Sequence, residues 1–135
     1  MKTYLELPAL SENLAQVMSF VSHQLEKTDC PMKQQMQICV AIEEVFINIA
    51  NYAYAPVTGN VVVEMSCENN TAEITFIDKG VPFNPLSKDD PDISLPAEER
   101  PIGGLGILMV KKTMDKVTYR RENGCNILIL QKTIK

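Results

Sequence analysis

The chain contains two pairs of segments in which apolar and polar residues alternate, and a short turn joins the members of each pair. The pairs are 60–67 with 71–78, and 116–122 with 125–133. Such alternation is typical of a strand with one buried face. The second pair is joined by Asn123-Gly124, a dipeptide that favours two-residue hairpin turns. Because strands joined by hairpins run antiparallel, the pattern predicts a largely antiparallel sheet.

Three further segments place apolar residues at helical spacing, and a short strand precedes them at residues 2–7. The first helix is predicted to begin at Ser11, a residue type that caps helix N-termini. The second covers roughly 31–54, with Met36 among the apolar positions expected to fill the core, and the third covers 105–115. These elements predict an α/β (α+β) two-layer sandwich: a mixed, largely antiparallel sheet with three helices on one face.

Length and charge narrow the class of protein. A chain of 135 residues suits one domain over 1–135, near the common domain size. The net charge of −4 at pH 7 argues against direct nucleic-acid binding. We expect no membrane span, since no stretch of about 18 apolar residues occurs. We expect no signal peptide, since the start from Met1 to Leu10 lacks the apolar run of one. The four cysteines form no Cys-x-x-Cys pair, which favours reduced thiols in a cytoplasmic protein.

Two polar residues on the second predicted helix stand out against its apolar composition. Glu44 and Asn48 are four residues apart, so their side chains share one helix face with Cβ atoms roughly 5–6 Å apart. Gln37 and Ala41 precede them on the same stripe. The stripe indicates either a functional site or the solvent face of an amphipathic helix.

Asp78 is the second anomaly, because it continues the inward-facing series Ala72, Ile74, Phe76. The two-residue period turns its carboxylate toward the core side of the sheet, where an unpaired carboxylate is costly. A ligand that donates a hydrogen bond would relieve the cost. The alternative is a turn-forming aspartate before Lys79-Gly80.

A glycine cluster, Gly103-Gly104-Leu105-Gly106, precedes the third predicted helix. Glycines allow the backbone to approach an anion closely, and a helix start presents amide donors and partial positive charge. The same cluster is also compatible with a simple chain turn.

Three motifs occur in order along the chain: E-V-F-I-N from Glu44, D-K-G-V-P-F-N-P from Asp78, and G-G-L-G-I from Gly103. They resemble the N, G1 and G2 boxes of the GHKL superfamily, which includes gyrase-type and histidine-kinase ATPase domains. The P-F-N-P run, the compact size and the G-G-L-G-I-x-x-V helix start are most similar to the anti-sigma-factor serine/threonine kinases. The resemblance spans essentially the whole chain.

The resemblance implies that the chain binds ATP with Mg²⁺. Asp78 would accept a hydrogen bond from the adenine amino group, and Gly80 would keep the backbone close to the base. Asn48 would hold Mg²⁺ through its amide oxygen, a hard donor suited to that ion. The acidic, proline-rich segment at about 84–102 corresponds to the ATP lid. The glycines assigned to the nucleotide phosphates are Gly103, Gly104 and Gly106.

The resemblance also implies a catalytic role for Glu44, as the general base that takes the proton from a serine or threonine hydroxyl of a partner protein. Arg100, just before the glycines, would neutralise charge on the γ-phosphate; the alternative is an ordinary surface arginine in the lid. Two positions depart from the family pattern. In the family, histidine is frequent at the position of Tyr52 and a small hydroxylated residue at the position of Ile47. These two departures bear on kinase turnover more than on ATP binding.

Two hypotheses of different classes follow. In the first, the chain is a homodimeric anti-sigma-factor-like kinase that phosphorylates a small antagonist protein and regulates a sigma factor. In the second, it is a nucleotide-gated module that sequesters a partner protein with little or no kinase activity. The intact carboxylate of Glu44 favours the kinase.

Overall fold

A five-stranded sheet and three α-helices make up the part of the chain that the structure, a computed structural model, describes: residues 2–52, 59–82 and 104–134. A single 3₁₀ turn, Ser11–Asn13, precedes the first helix. The helices are α1 (Leu14–Glu26), α2 (Met32–Tyr52) and α3 (Gly104–Thr113). The strands are β1 (Lys2–Pro8), β2 (Asn60–Glu68), β3 (Thr71–Asp78), β4 (Lys116–Glu122) and β5 (Cys125–Thr133).

The strand order is β1-β2-β3-β5-β4, and all four neighbouring pairs are antiparallel. The predicted two-layer sandwich and its hairpins are confirmed. The described sheet contains no parallel pair, so it is antiparallel where the sequence predicted a mixed sheet. The reason is the first connection: α1 and α2 form a helical hairpin, and β2 therefore returns antiparallel to β1.

The core lies between one face of this sheet and the helices. The inward residues of the central strands are almost fully buried, as the alternation predicted. They pack against α1 and α2, whose buried residues recur at three- and four-residue spacing. The buried residues of these elements include Val17, Val21, Leu25, Ile38, Ile42, Phe46, Val61, Val63, Met65, Ile74, Phe76, Leu128 and Leu130.

Two local predictions on the helices are wrong. Ser11 is not a helix cap: it opens the 3₁₀ turn, which Leu10 precedes in extended conformation without a side-chain cap. Met36 is not a core residue, because its side chain is 62% exposed on the outer face of α2. None of the described helices is long and apolar enough to span a bilayer.

Asp115 ties the turn between α3 and β4 to the end of β5. Its backbone N–H donates to the carbonyl of Gln131 at 2.9 Å, and its Oδ2 accepts from the N–H of Thr133 at 2.6 Å. The ammonium of Lys132 lies 3.7 Å from its Oδ1. The backbone hydrogen bond from Thr133 is the main reason that the pKa of Asp115 is lowered from its ordinary value.

Asp115→Asn is therefore expected to lower the free energy of unfolding at neutral pH. Because the folded pKa of Asp115 lies below the unfolded value, its contribution is present above about pH 4 and is lost as pH falls through the folded pKa. Urea denaturation between about pH 7 and about pH 3 should show the two proteins converging at acid pH. Glu26→Gln, which removes an exposed carboxylate, controls for the lost charge. A constant difference at every pH would contradict this role.

Candidate functional site

Asp78, the last residue of β3, has a buried side chain that is 4% exposed. In register it lies between Val61 of β2 and Asn126 of β5, both buried. Directly paired residues of antiparallel strands point to the same side of a sheet. The Asp78 carboxylate therefore lies on the helix side, as the alternation predicted.

Within the described ranges, the side-chain hydrogen bonds of Asp78 involve one carboxylate oxygen. Oδ1 accepts from the backbone N–H of Gly80 at 2.9 Å and from Nδ2 of Asn126 at 2.9 Å. The bond to Gly80 is the local turn of the alternative interpretation. Among the described residues, no hydrogen-bond donor reaches Oδ2. The turn thus uses Oδ1 of the carboxylate, and Oδ2 is available as a hydrogen-bond acceptor.

The β4–β5 hairpin holds the chain that follows Asp78. Asn126 Nδ2 also donates to the carbonyl of Val81 at 2.8 Å, and Tyr119 donates its hydroxyl to Asn126 Oδ1 at 2.5 Å. Arg121, directly opposite Asn126 in register, donates from Nη1 to the carbonyl of Gly80 at 2.8 Å. Side-chain hydrogen bonds thus connect the site across three strands.

Sequence reasoning missed this hairpin contribution, although one signal was present. Asn126 precedes Leu128 and Leu130 in the inward series of β5, so it is a polar residue at a buried strand position. Like Asp78, Asn126 is a polar side chain that needs a hydrogen-bond partner at a buried position. Tyr119 and Arg121 carried no comparable signal, because aromatic and charged residues are ordinary in an edge strand.

Glu44 and Asn48 lie on α2, one helical turn apart, and both side chains are half-buried. They border its buried face beside Ala41 and Val45, whereas the adjacent Glu43 is exposed. Their stripe is thus not simply the solvent face of the helix. The helix α2, which carries these two polar residues, packs against α3.

The glycine motif begins α3. Gly104 is its first residue and Gly106 lies in its first turn, which confirms the predicted helix start. The first turn of any α-helix leaves backbone N–H groups without intrahelical partners, and these can bind an anion. Gly103, Arg100 and the predicted lid at 84–102 lie outside the described residues.

The donors present suit a metal ion only together with a bound phosphate ligand. No group of three or more His, Cys, Asp or Glu side chains in the described ranges could hold a metal ion. Asn48 provides an amide oxygen, and Mg²⁺ commonly completes its octahedron with phosphate oxygens and water. Oδ2 of Asp78 suits a ligand that donates a hydrogen bond, such as an exocyclic amino group.

A cavity of about 460 Å³ is lined in part by Asp78. Its other lining residues include Glu6, Val62 and Ile77, whose side chains point to the opposite face of the sheet from that of Asp78. The cavity therefore lies mainly along the face of the sheet that the described helices leave uncovered, and Asp78 stands at its edge.

Comparisons with known proteins agree with this geometry. The family model described as "Histidine kinase-like ATPase domain" matches residues 7–132. The chain is similar to the serine-protein kinase RsbW of Bacillus cereus strain AH187, at 28% identity over 132 residues, or 95% of this chain and 82% of the relative. The RsbW of Bacillus mycoides strain KBAB4 is 26% identical with the same coverage.

A solved structure has a similar fold. It is the crystal structure of the RsbU and RsbW domains of Rv1364c from Mycobacterium tuberculosis, with a TM-score of 0.71 and 15% identity. The match covers 99% of this chain and 32% of that one, so the chain spans about a third of the solved protein's length.

Proposed function

This chain belongs to the histidine kinase-like ATPase domain family, and from that premise we propose that it is an ATP-dependent serine/threonine protein kinase of the anti-sigma-factor type. One observation carries the proposal. At the family's adenine-recognising position, the buried carboxylate of Asp78 uses Oδ1 for two internal hydrogen bonds and presents Oδ2 as an acceptor. In the part of the chain that the structure describes, no fully buried side-chain oxygen lacks a hydrogen-bond partner. Oδ2 therefore lies where solvent or a ligand can reach it, and it suits a ligand that donates a hydrogen bond.

The base and the phosphates of ATP would contact different elements. Oδ2 of Asp78 accepts from the adenine amino group, and the Asp78–Gly80 turn keeps the backbone close to the ring. Backbone amides at Gly103, Gly104 and Gly106 bind phosphate oxygens, helped by the partial positive charge at the start of α3. Arg100 neutralises charge on the γ-phosphate.

Asn48 would hold Mg²⁺ through its amide oxygen. When bound with ATP, the ion neutralises phosphate charge and helps align the γ-phosphate for transfer. The half-buried position of Asn48 on α2 suits this role, because a partly desolvated amide loses less on binding an ion than a fully hydrated one.

Glu44 is the proposed general base. Its carboxylate accepts the proton of a serine or threonine hydroxyl on a bound protein while the hydroxyl oxygen attacks the γ-phosphorus, and ADP leaves. Glu44 lies one helical turn from Asn48, so the base and the metal ligand are held in fixed relation by the same helix. Phosphoryl transfer depends mainly on such positioning and on charge neutralisation.

The partners proposed for the kinase are proteins. The substrate is a small antagonist protein, the regulated partner is a sigma factor, and the working form is a cytoplasmic homodimer. The printed names of the relatives, serine-protein kinase RsbW, support the reaction type. The net charge of −4 supports a protein partner over direct contact with nucleic acid.

Transfer of labelled γ-phosphate from Mg-ATP to proteins in a lysate of the source cells tests the proposal. We expect one small labelled protein, with ATP binding measured by calorimetry on the same preparation. ATP binding without any labelled protein would favour the nucleotide-gated module that sequesters a partner. Absence of ATP binding would contradict both hypotheses.

A further inference from the structure

The amide of Asn126 connects three strands at the end of the sheet where Asp78 lies. We propose that Asn126 is a positioning residue that makes the site selective for 6-amino purines over 6-oxo purines. Asn126 acts by fixing the Asp78 carboxylate. This inference rests on the proposed function, since it concerns the base of the nucleotide that Asp78 recognises.

The orientation of the Asn126 amide is determined by its partners. Nδ2 donates to two acceptors, Asp78 Oδ1 at 2.9 Å and the Val81 carbonyl at 2.8 Å. Oδ1 accepts from the hydroxyl of Tyr119 at 2.5 Å. A flipped amide would set its oxygen against both acceptors, so only one orientation satisfies the network.

This fixed amide determines how the Asp78 carboxylate is aligned. With Asn126 and Gly80 both donating to one oxygen, the carboxylate cannot tilt out of its plane without weakening two hydrogen bonds in a buried site, and a half-turn only exchanges its two equivalent oxygens. The second oxygen, Oδ2, is then held in one orientation and is the acceptor that remains for a ligand. A 6-amino purine places a donor against it, whereas a 6-oxo purine places an acceptor against an acceptor.

The same amide also holds the turn on which the base would lie. Asn126 binds the carbonyl of Val81, and Arg121 binds the carbonyl of Gly80. The Val81 side chain is itself 57% exposed, so it contributes little packing to hold this segment. Hydrogen bonds from the hairpin therefore hold the carbonyls of Gly80 and Val81 in place.

The test compares the affinities of ATP and ITP, whose bases differ at the 6-position, by calorimetry in Asn126→Ala and Asn126→Asp. We expect Asn126→Ala to weaken ATP binding about tenfold, the value of one hydrogen bond. The affinity for ITP should change less than about twofold, so the ratio of the ATP affinity to the ITP affinity should fall about fivefold or more. Asn126→Asp should weaken ATP further, because it sets a carboxylate against Asp78 Oδ1. An unchanged ratio in both variants would overturn the proposal.

Ile127→Ala provides the matched control. Ile127 is the next residue of β5, is half-buried and points to the opposite face of the sheet. Its truncation destabilises the same strand without touching Asp78, so it should leave the ATP-to-ITP ratio unchanged. An equal collapse of the ratio in this variant would show that Asn126 acts only through strand stability.

A second measurement needs no nucleotide. The N–H of Gly80 donates to the oxygen that Asn126 holds, so its hydrogen exchange should be about tenfold faster in Asn126→Ala than in Ile127→Ala. If the wild-type chain bound no ATP, the proposed function would fail. Equal Gly80 exchange in the two variants would then separately overturn the positioning role.

Discussion

Glu44→Ala is expected to lower the rate of phosphoryl transfer by about 10²-fold or more while leaving the affinity for ATP within about twofold. The expected loss corresponds to the rate enhancement that a general base contributes, typically about 10²–10⁴-fold. ATP binding should persist because the proposed contacts to the base and the phosphates come from Asp78 on β3 and from the start of α3, and not from Glu44. Single-turnover transfer to the labelled antagonist, with ATP binding measured in parallel, separates the two effects.

The adjacent Glu43 gives a matched control for this substitution. It has the same side chain on the same helix but is exposed, so Glu43→Ala should transfer phosphate at nearly the wild-type rate. Glu44→Gln retains the shape and removes the basic oxygen, and it should be nearly as slow as Glu44→Ala. Wild-type rates in both Glu44 variants would exclude the general base and favour catalysis by positioning and charge alone.

The sheet was the most predictable part of the fold, because period-two alternation and Asn123-Gly124 are local signals for strands and a hairpin. The structure pairs β2 with β3 and β4 with β5 as those signals indicate. The failures on the helices concern tertiary context. Met36 satisfies helical spacing, yet no described element covers the outer face of α2 where it lies 62% exposed.

The candidate site was predictable only where one residue broke its local pattern. Asp78 did so at the end of β3, and its burial is confirmed. Asn126 broke the pattern of β5 in the same way, but its meaning depends on register, which places it directly opposite Asp78. Asp78 and Asn126 are 48 residues apart in the sequence. Neither strand alone therefore indicates that the two residues pair. The functional roles of all the predicted site residues stay predictions.

Asp78→Asn should lower the affinity for ATP by roughly 10²-fold, or about 2.7 kcal/mol. The asparagine oxygen must stay at the position of Oδ1, because Gly80 N–H and Asn126 Nδ2 both donate there. Its NH₂ group then replaces Oδ2 and sets a donor against the adenine amino group. The internal hydrogen bonds survive, so the melting temperature should change little while ATP binding is weakened.

The same geometry predicts a change of base preference, which distinguishes recognition from general damage. A new donor at the position of Oδ2 suits the carbonyl of a 6-oxo purine, so Asp78→Asn should bind ITP at least as well as ATP. Asp115→Asn, toward the opposite end of β5, is the control for loss of a carboxylate and should retain the wild-type preference. If Asp78→Asn bound ATP with wild-type affinity, adenine recognition by Asp78 would be wrong. The selectivity argued for Asn126 would then fall as well, because that residue acts only through this carboxylate.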